Sequence, residues 1–446
     1  MNLSGSWSRV GFVLAFVAVA SAAASAERGL TFTQLAAIRE VGEIRVSPDG
    51  SRIAYTLEIP RTIGVDDDGP EWVELWLTGI GGGDPRPFVH GDVKVETVRF
   101  SPDGSLITYL AKRADDEHGA LYAIPVDGGE SRRLVDFDET IRDYRLSPDG
   151  RRVAFVAREP ESEAAKQAKE HGYKQEVFEE DWRQQKLWIA ELAPFTPTVG
   201  DPDAPNQDDD RKPRALPIDG AVFGVDWTPD GKQLLLEVAP TPLIDDRFMR
   251  RRIGVYDVDS GERSASIANV GKLGAVELSP DGRNVAMIAA ADANDPLEGR
   301  LAVAPIGGGE PRDLLPGLLG HVTALAWRDP ATVAYLADVG EETIYGEVGL
   351  TGGEGRELLR SGSARADGAP VPVMTRVALS ADGAVTALVG ESPRHPPELF
   401  VLAGEESVAR RLTDSNPWLG EVELADQELY RHEARDGLSL SGVLIR

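Results

Sequence analysis

The sequence predicts an all-β fold, a seven-bladed β-propeller of four-stranded antiparallel blades. Three observations predict it. A tight-turn signature recurs along the chain, its copies lie about 50 residues apart, and each interval carries short alternating apolar runs.

The signature is Ser-Pro-Asp-Gly, found at 47–50, 101–104, 147–150 and 279–282. Near-copies are Thr228-Pro229-Asp230-Gly231 and Ser380-Ala381-Asp382-Gly383, and a degenerate seventh is Trp327-Arg328-Asp329-Pro330. Their second positions are separated by 54, 46, 81, 51, 48 and 53 residues, so one interval alone is long. Pro presets φ for the first central position of a turn, Asp bonds nearby backbone amides, and Gly suits the exit.

Strands flank every turn. Val98-Arg99-Phe100 and Tyr144-Arg145-Leu146 run into it; Leu106–Leu110, Val153–Val156 and Leu234–Leu236 run out. A third strand follows, as in Leu121–Val126, Leu75–Leu77 and Leu301–Val303, and ends in the Gly-rich turns at 127–129, 81–83 and 307–309. A fourth, such as Arg132–Val135, closes the unit. Seven such units arranged radially make a closed ring, which hides strand edges that a sandwich array or open solenoid would expose. The aromatic residues Trp76, Tyr122 and Trp188 on third strands fit the packing between blades.

The long interval, between Pro148 and Pro229, holds an insertion. Ser162–Glu170 predicts a short polar helix, Val177–Trp182 leads back to a strand at Leu187–Ile189, and Asp201–Arg214 is a Pro- and Asp-rich loop. Long loops on a rigid scaffold are disproportionately functional.

Before residue 27 the only charged side chain is Arg9, followed by the apolar run Val10–Ala20 and by Ala24-Ser25-Ala26. That is a signal-peptide pattern, predicting cleavage after Ala26 and export to a bacterial periplasm or the medium. The apolar core is too short to span a bilayer comfortably, so no membrane span is expected after cleavage; a retained anchor is the alternative. The expected division is therefore 1–26 signal peptide, 27–425 propeller and 426–446 a different unit. In that last stretch, two alternating runs flank Asp436-Gly437 as a hairpin, and the chain stops on Val443-Leu444-Ile445-Arg446 as if cut.

Composition excludes several functions. With 47 Lys and Arg against 74 Asp and Glu, the chain of 446 residues carries −27, which opposes binding to a nucleic-acid backbone. Zero Cys removes disulfides, thiolate nucleophiles and zinc–thiolate sites. The six His residues, at 90, 118, 171, 321, 395 and 432, show no ligand spacing. The triplets Asp66–Asp68 and Asp208–Asp210 lack the alternating spacing of a calcium loop, so solvated loop tips are expected, with no metal and no cofactor.

These residues resemble the prolyl oligopeptidase family of serine peptidases, in its acylaminoacyl-peptidase and dipeptidyl-peptidase branches. The resemblance rests on the exported N-terminus, Thr31–Glu40 leading into the first signature, and Glu179-Glu180-Asp181-Trp182 in blade three. It rests also on Leu412–Leu419, followed by Arg435-Asp436-Gly437 and Ser441–Leu444. It implies that residues 426–446 begin an α/β-hydrolase domain and that the propeller gates short peptides to it. In the family the catalytic Ser, Asp and His lie in that following domain, so no catalytic residue is expected here. The nearest text to a nucleophile elbow, Gly437–Ser441, lacks the last Gly and sits in the hairpin.

The resemblance further implies substrate binding by Glu179 and Glu180, because in the dipeptidyl-peptidase branch an acidic pair on a propeller insertion holds the substrate's ammonium group. Two carboxylates suit a cation that donates several charge-assisted hydrogen bonds. Here the Trp follows the pair, whereas in dipeptidyl peptidase IV it precedes it. Arg183 is a candidate ion-pair partner for one of these acids. The alternative reading is a non-catalytic, TolB-like periplasmic propeller that acts as a protein-interaction scaffold. Turn signatures alone do not separate the two; the tail favours the peptidase.

Overall fold

In the computed structural model, residues 29–83, 85–113, 116–180, 182–193, 212–294, 297–363, 369–403 and 408–446 are described. The segment expected to be a signal peptide, residues 1–26, lies outside them, as do Asp181 and Asp208–Asp210. Seven sheets of four consecutive antiparallel strands form the ring. Blade one comprises β1 (Glu40–Val46), β2 (Arg52–Ile59), β3 (Trp72–Gly79) and β4 (Arg86–Val89); blade two β5 (Glu96–Phe100), β6 (Leu106–Ala111), β7 (Ala120–Pro125) and β8 (Arg132–Arg133). Blade three has β9 (Ile141–Leu146), β10 (Arg152–Arg158), β11 (Gln185–Glu191) and β12 (Arg214–Ala215); blade four β13 (Ala221–Trp227), β14 (Gln233–Ala239), β15 (Arg252–Asp257) and β16 (Arg263–Ser266). Blade five has β17 (Leu273–Leu278), β18 (Asn284–Ala289), β19 (Arg300–Pro305) and β20 (Arg312–Asp313). Blade six has β21 (His321–Asp329), β22 (Thr332–Val339), β23 (Glu342–Gly349) and β24 (Arg356–Arg360). Blade seven has β25 (Val373–Leu379), β26 (Val385–Ser392), β27 (His395–Ala403) and β28 (Arg410–Arg411). A separate two-stranded sheet follows, β29 (Gln427–Glu433) and β30 (Ser439–Ile445). Short helices α1 (Phe32–Leu35), α2 (Glu163–Glu170) and α3 (Ile244–Met249) decorate the ring.

The signature turns share one lock. The Ser47 hydroxyl donates to Asp49 Oδ1 at 2.6 Å and accepts the Arg52 amide at 2.9 Å, while Asp49 Oδ1 accepts the Ser51 amide at 3.1 Å. Gly50 exits at φ 70°, a left-handed conformation that a Cβ disfavours. These bonds, that from Ser47 first, hold the Asp49 carboxyl down to about 2. The same bonds recur around Asp103, Asp149, Asp230, Asp281 and Asp382. Blade six differs: β21 runs on to Asp329, and Pro330-Ala331 alone make the turn. Arg328, at the second position of the degenerate signature, leaves the turn to pair with Glu347 and bond the Gly383 carbonyl of blade seven.

Apolar packing lies between blades. Seven buried clusters are found among the described residues, one at each interface, as expected when both faces of every sheet are covered. Trp76, Tyr122 and Trp188 belong to them, as expected from the sequence. The last joint, blade seven to blade one, is made by side chains such as Val41, Ile44, Leu57, Val389 and Leu399, with no strand exchanged.

Two polar devices reinforce the ring. An arginine opens the outermost strand of every blade: Arg86, Arg132, Arg214, Arg263, Arg312, Arg356 and Arg410. Four of them donate to a carbonyl just past the third strand of the next blade: Arg86 to Val126, Arg214 to Val258 at 2.8 Å, Arg312 to Thr351 at 2.8 Å, and Arg410 to Ile80 at 2.6 Å. At the closing joint Asn416 mimics a strand, its Oδ1 accepting the Arg39 amide at 2.9 Å and its Nδ2 donating to the Arg39 carbonyl at 2.7 Å. Glu398, with no exposed surface, fixes the segment that carries Asn416. It accepts from Arg411, the Thr413 hydroxyl, and the Ser415 amide at 2.7 Å. The motif Leu412–Leu419 thus works as the clasp of the ring.

Strand direction sorts the loops into two faces. The signature turns and the third-to-fourth-strand turns share one face. The opposite face carries the N-terminal lead-in, the second-to-third-strand loops, the crossings between blades, and the exit toward β29.

Candidate functional site

The blade-three insertion stands on the exit face. Ser162 caps α2, its hydroxyl accepting the Ala165 amide at 3.2 Å, as its position before an Ala-rich polar run requires. The chain then turns at Val177–Glu180, closed by the Glu180 amide on the Val177 carbonyl at 3.1 Å. Glu179 sits at φ 58°, a strained conformation for a residue with a Cβ. Both Glu179 and Glu180 are exposed, and neither carboxylate has a hydrogen-bond or ion-pair partner among the described residues. Arg183 does not pair with either. It pairs with the mostly buried Glu139 on the lead-in to β9 and donates to the Glu159 carbonyl at 3.0 Å. Arg183 therefore staples the base of the insertion and leaves the acidic pair free at its tip.

The Asp66–Asp68 triplet is a self-contained loop. Asp66 accepts the Thr62 amide at 2.6 Å and the Asp67 carbonyl accepts from Arg61 at 3.1 Å. No carboxylate–histidine group able to hold a metal ion occurs among the described residues.

A second polar constellation lies on the ring axis, where sequence reasoning did not look. The residues two before each turn signature are Arg45, Arg99, Arg145, Asp226 and Glu277 in blades one to five and Ala378 in blade seven; in blade six strand register puts Ala326 at the equivalent place. Arg99 bonds Asp143 at 3.0 Å, Asp143 receives Arg145 at 3.3 Å, and Arg145 approaches Asp226 at 4.0 Å, so one chain of charges crosses three blades. Glu43 holds Arg45 at 2.6 Å and accepts the Val98 amide at 2.9 Å. A cavity of about 540 Å³ opens above them, lined by Glu43, Arg45, Thr97, Thr323 and Arg376.

Burial dominates the electrostatics here. Asp226 keeps 35% of its side-chain surface open to channel water but is walled in on every side, and burial raises its carboxyl above the ordinary range. Glu277 is pushed up to about 7, by burial first and then by Asp226, against the attraction of Arg45 and Arg99. These groups can order water and repel or admit charged chain ends. They include no nucleophile paired with a base. A periodic signal for them existed in the sequence: a charged residue two before the signature, in five of seven repeats.

The exit face is also the apolar one. Among the described residues, every large apolar side chain left exposed lies on this face or in the β29–β30 hairpin. They include Phe32, Ile63, Val65, Phe178, Ile244 and Leu319, which are 92%, 82%, 80%, 87%, 65% and 90% exposed. The signature-turn face has none. Hairpin residues Leu438, Val443 and Ile445 are exposed as well, and Arg394 ties the linker to the ring through the Leu424 carbonyl at 3.0 Å and through Asp426.

Comparison of the fold with solved structures fits this geometry. An acylaminoacyl peptidase from Pyrococcus horikoshii superposes with TM-score 0.64 at 14% identity, over 93% of this chain and 59% of that one. The fold is a seven-bladed β-propeller, as these likenesses show. A Mycobacterium tuberculosis puromycin-hydrolyzing peptidase matches with TM-score 0.62 at 14% identity, over 92% of this chain and 58% of its own. The β-propeller domain of the Trilobed protease from Pyrococcus furiosus, described as having an open velcro topology, matches with TM-score 0.55 at 13% identity over 85% of this chain and 99% of its own. That description agrees with the closure here, where no strand is exchanged. The chain spans about three-fifths of the length of the acylaminoacyl peptidase it resembles. No family model and no curated protein matches it by sequence.

Proposed function

We propose that this chain is the substrate-gating propeller portion of an exported serine peptidase of the prolyl oligopeptidase family, acting on short peptides. The observation that carries the reading is the one-sided distribution of exposed apolar side chains. They gather on the face from which the chain leaves the ring, together with an apolar hairpin. Contiguous exposed apolar surface marks a face that another body covers. A catalytic domain seated there would receive peptides through the ring axis or the gap beside the blade-three insertion, and folded proteins would be too wide to enter. The likeness to the propellers of solved peptidases supports the same reading.

In this reading Glu179 and Glu180 hold the substrate's ammonium group. Their exposure, their freedom from partners and the strained turn at Glu179 suit a pair kept available for a cation. The reaction itself, acyl transfer to a serine, would belong to the covering domain.

The test is a serine-directed fluorophosphonate probe applied to this chain and, separately, to the native protein from its source, together with the intact mass of the latter. We expect no label on the chain, and label on a native protein heavier by about 200–250 residues, one further domain. A native protein of this chain's own mass that takes no label refutes the peptidase reading.

A further inference from the structure

All seven innermost strands carry a β-bulge at the same level, near the exit-face mouth of the channel. A bulge re-aims the side chain of its extra residue. In blade three that residue is Arg142 and in blade four it is Phe223. The two neighbouring bulges thus set an arginine and a phenylalanine at the same level of adjacent blades at the rim. From blade four, Arg247 on α3 lies over the Phe223 ring, 6.0 Å from its centroid. Arg158, at the end of β10, and Arg183, at the base of the insertion, complete the group.

The charge balance of this group is unusual for so acidic a chain. Arg142, Arg158 and Arg247 have no carboxylate within ion-pair distance among the described residues, while 27 negative charges are in excess overall. Glu139 is the nearby acid, and it is already paired with Arg183. Burial, and then the guanidinium groups of Arg158 and Arg247, disfavour the charged form of Arg142, with Glu139 opposing. Gathering unpaired cations costs free energy that a bound anion would recover. The Phe223 ring offers a flat apolar floor beside them.

We propose that Arg142, Arg158 and Arg247, with Phe223 beneath Arg247, form a carboxylate-binding site for peptides at the channel rim. The carboxylate is either a peptide's C-terminal group or an Asp or Glu side chain. The choice of a peptide rests on the function proposed above; the anion site itself rests on the arginines. With the free acids Glu179 and Glu180 on the adjoining insertion, the same sector then offers cation and anion recognition for the two ends of a short chain.

The test is calorimetric titration of the chain with three acetylated tetrapeptides of Gly and Phe. One has a free C-terminal carboxylate, one a C-terminal amide with an internal Glu, and one a C-terminal amide with no charge. We expect either charged peptide to bind about 10-fold or more tightly than the neutral one, and which of them does so identifies the source of the carboxylate. The preference should shrink as sodium chloride rises from about 20 to 300 mM. It should fall below about 2-fold in R142Q, R158Q and R247Q combined, and in the pair R158Q and R247Q, whose exposed side chains leave the blade core untouched. Equal binding of all three peptides, no binding of any, or a charge preference that survives these substitutions overturns the proposal. Charge-selective binding beside a native protein that takes no fluorophosphonate label would refute the peptidase reading and leave the carboxylate site standing.

Discussion

Glu277 gives the sharpest quantitative test of the channel electrostatics. Its carboxyl, on β17, faces the axis near Asp226 of β13, with Arg45 of β1 and Arg99 of β5 opposite and only Ala326 at the equivalent place on β21. Its ordinary value is 4.5 and in the fold it stands at about 7. The folded chain therefore binds a proton that the unfolded chain has released, across roughly pH 4.5–7. Stability contributed by this group is full below pH 4.5, falls as pH rises through the window, and is flat above it. The full difference corresponds to about 3 kcal/mol, and channel water reduces it to roughly 1–3 kcal/mol. The substitution E277Q keeps the shape and removes the titration. We expect it to leave stability near that of the parent at pH 4.5 and to raise it by about 1–3 kcal/mol at pH 8. Because Asp226 loses a negative neighbour at high pH, the gain there includes some relief of Asp226 as well. Urea unfolding followed by tryptophan fluorescence at the two pH values measures it. An equal effect at both pH values, or a loss at pH 8, would refute the argument that burial and Asp226 set the Glu277 carboxyl.

The closure of the ring yields further expectations. N416A removes both bonds to Arg39 and leaves that backbone unpaired, at a cost of about 2–3 kcal/mol, with amide hydrogen exchange rising first in β1 and β25–β27. E398A strips the buried acceptor from the Thr413 hydroxyl and the Ser415 amide, while Arg411 keeps Asp414, and should cost about 2–4 kcal/mol by chemical denaturation because two donors are left unsatisfied. R312A and R410A break links at two separate joints of the outer belt, blade five to six and blade seven to one. Each should cost about 1 kcal/mol, and the double variant should equal their sum to within about 0.5 kcal/mol.

The turn chemistry of Ser-Pro-Asp-Gly is local: every bond of the lock lies within six residues, so seven turns, their spacing and the blade count followed from the sequence. Helix α2 and the Asp436-Gly437 hairpin were legible for the same reason. The blade-six turn was misaligned because Arg328 answers to a partner in blade seven, which no local pattern displays. The Leu412–Leu419 motif stood out in the sequence as part of a family likeness, yet its role as a clasp depends on Arg39, 377 residues from Asn416 along the chain. At the insertion, the sequence offered Glu179 and Glu180 and a wrong partner for Arg183. Only the placement of Glu139 on the neighbouring lead-in decided that the acids stand free.

What the sequence determined by itself was the set of repeating units, since turn geometry and strand alternation are short-range properties of the chain. What the tertiary structure decided was everything that depends on the ring being closed. Closure brings inner strands from five blades around one axis, where burial and like charge lift Glu277. It brings the bulge residues Arg142 and Phe223 of adjacent blades to one rim, where Arg247 lies over the Phe223 ring. It also collects the exposed apolar side chains on one face, because strand direction, alternating within each blade, sends every long loop the same way.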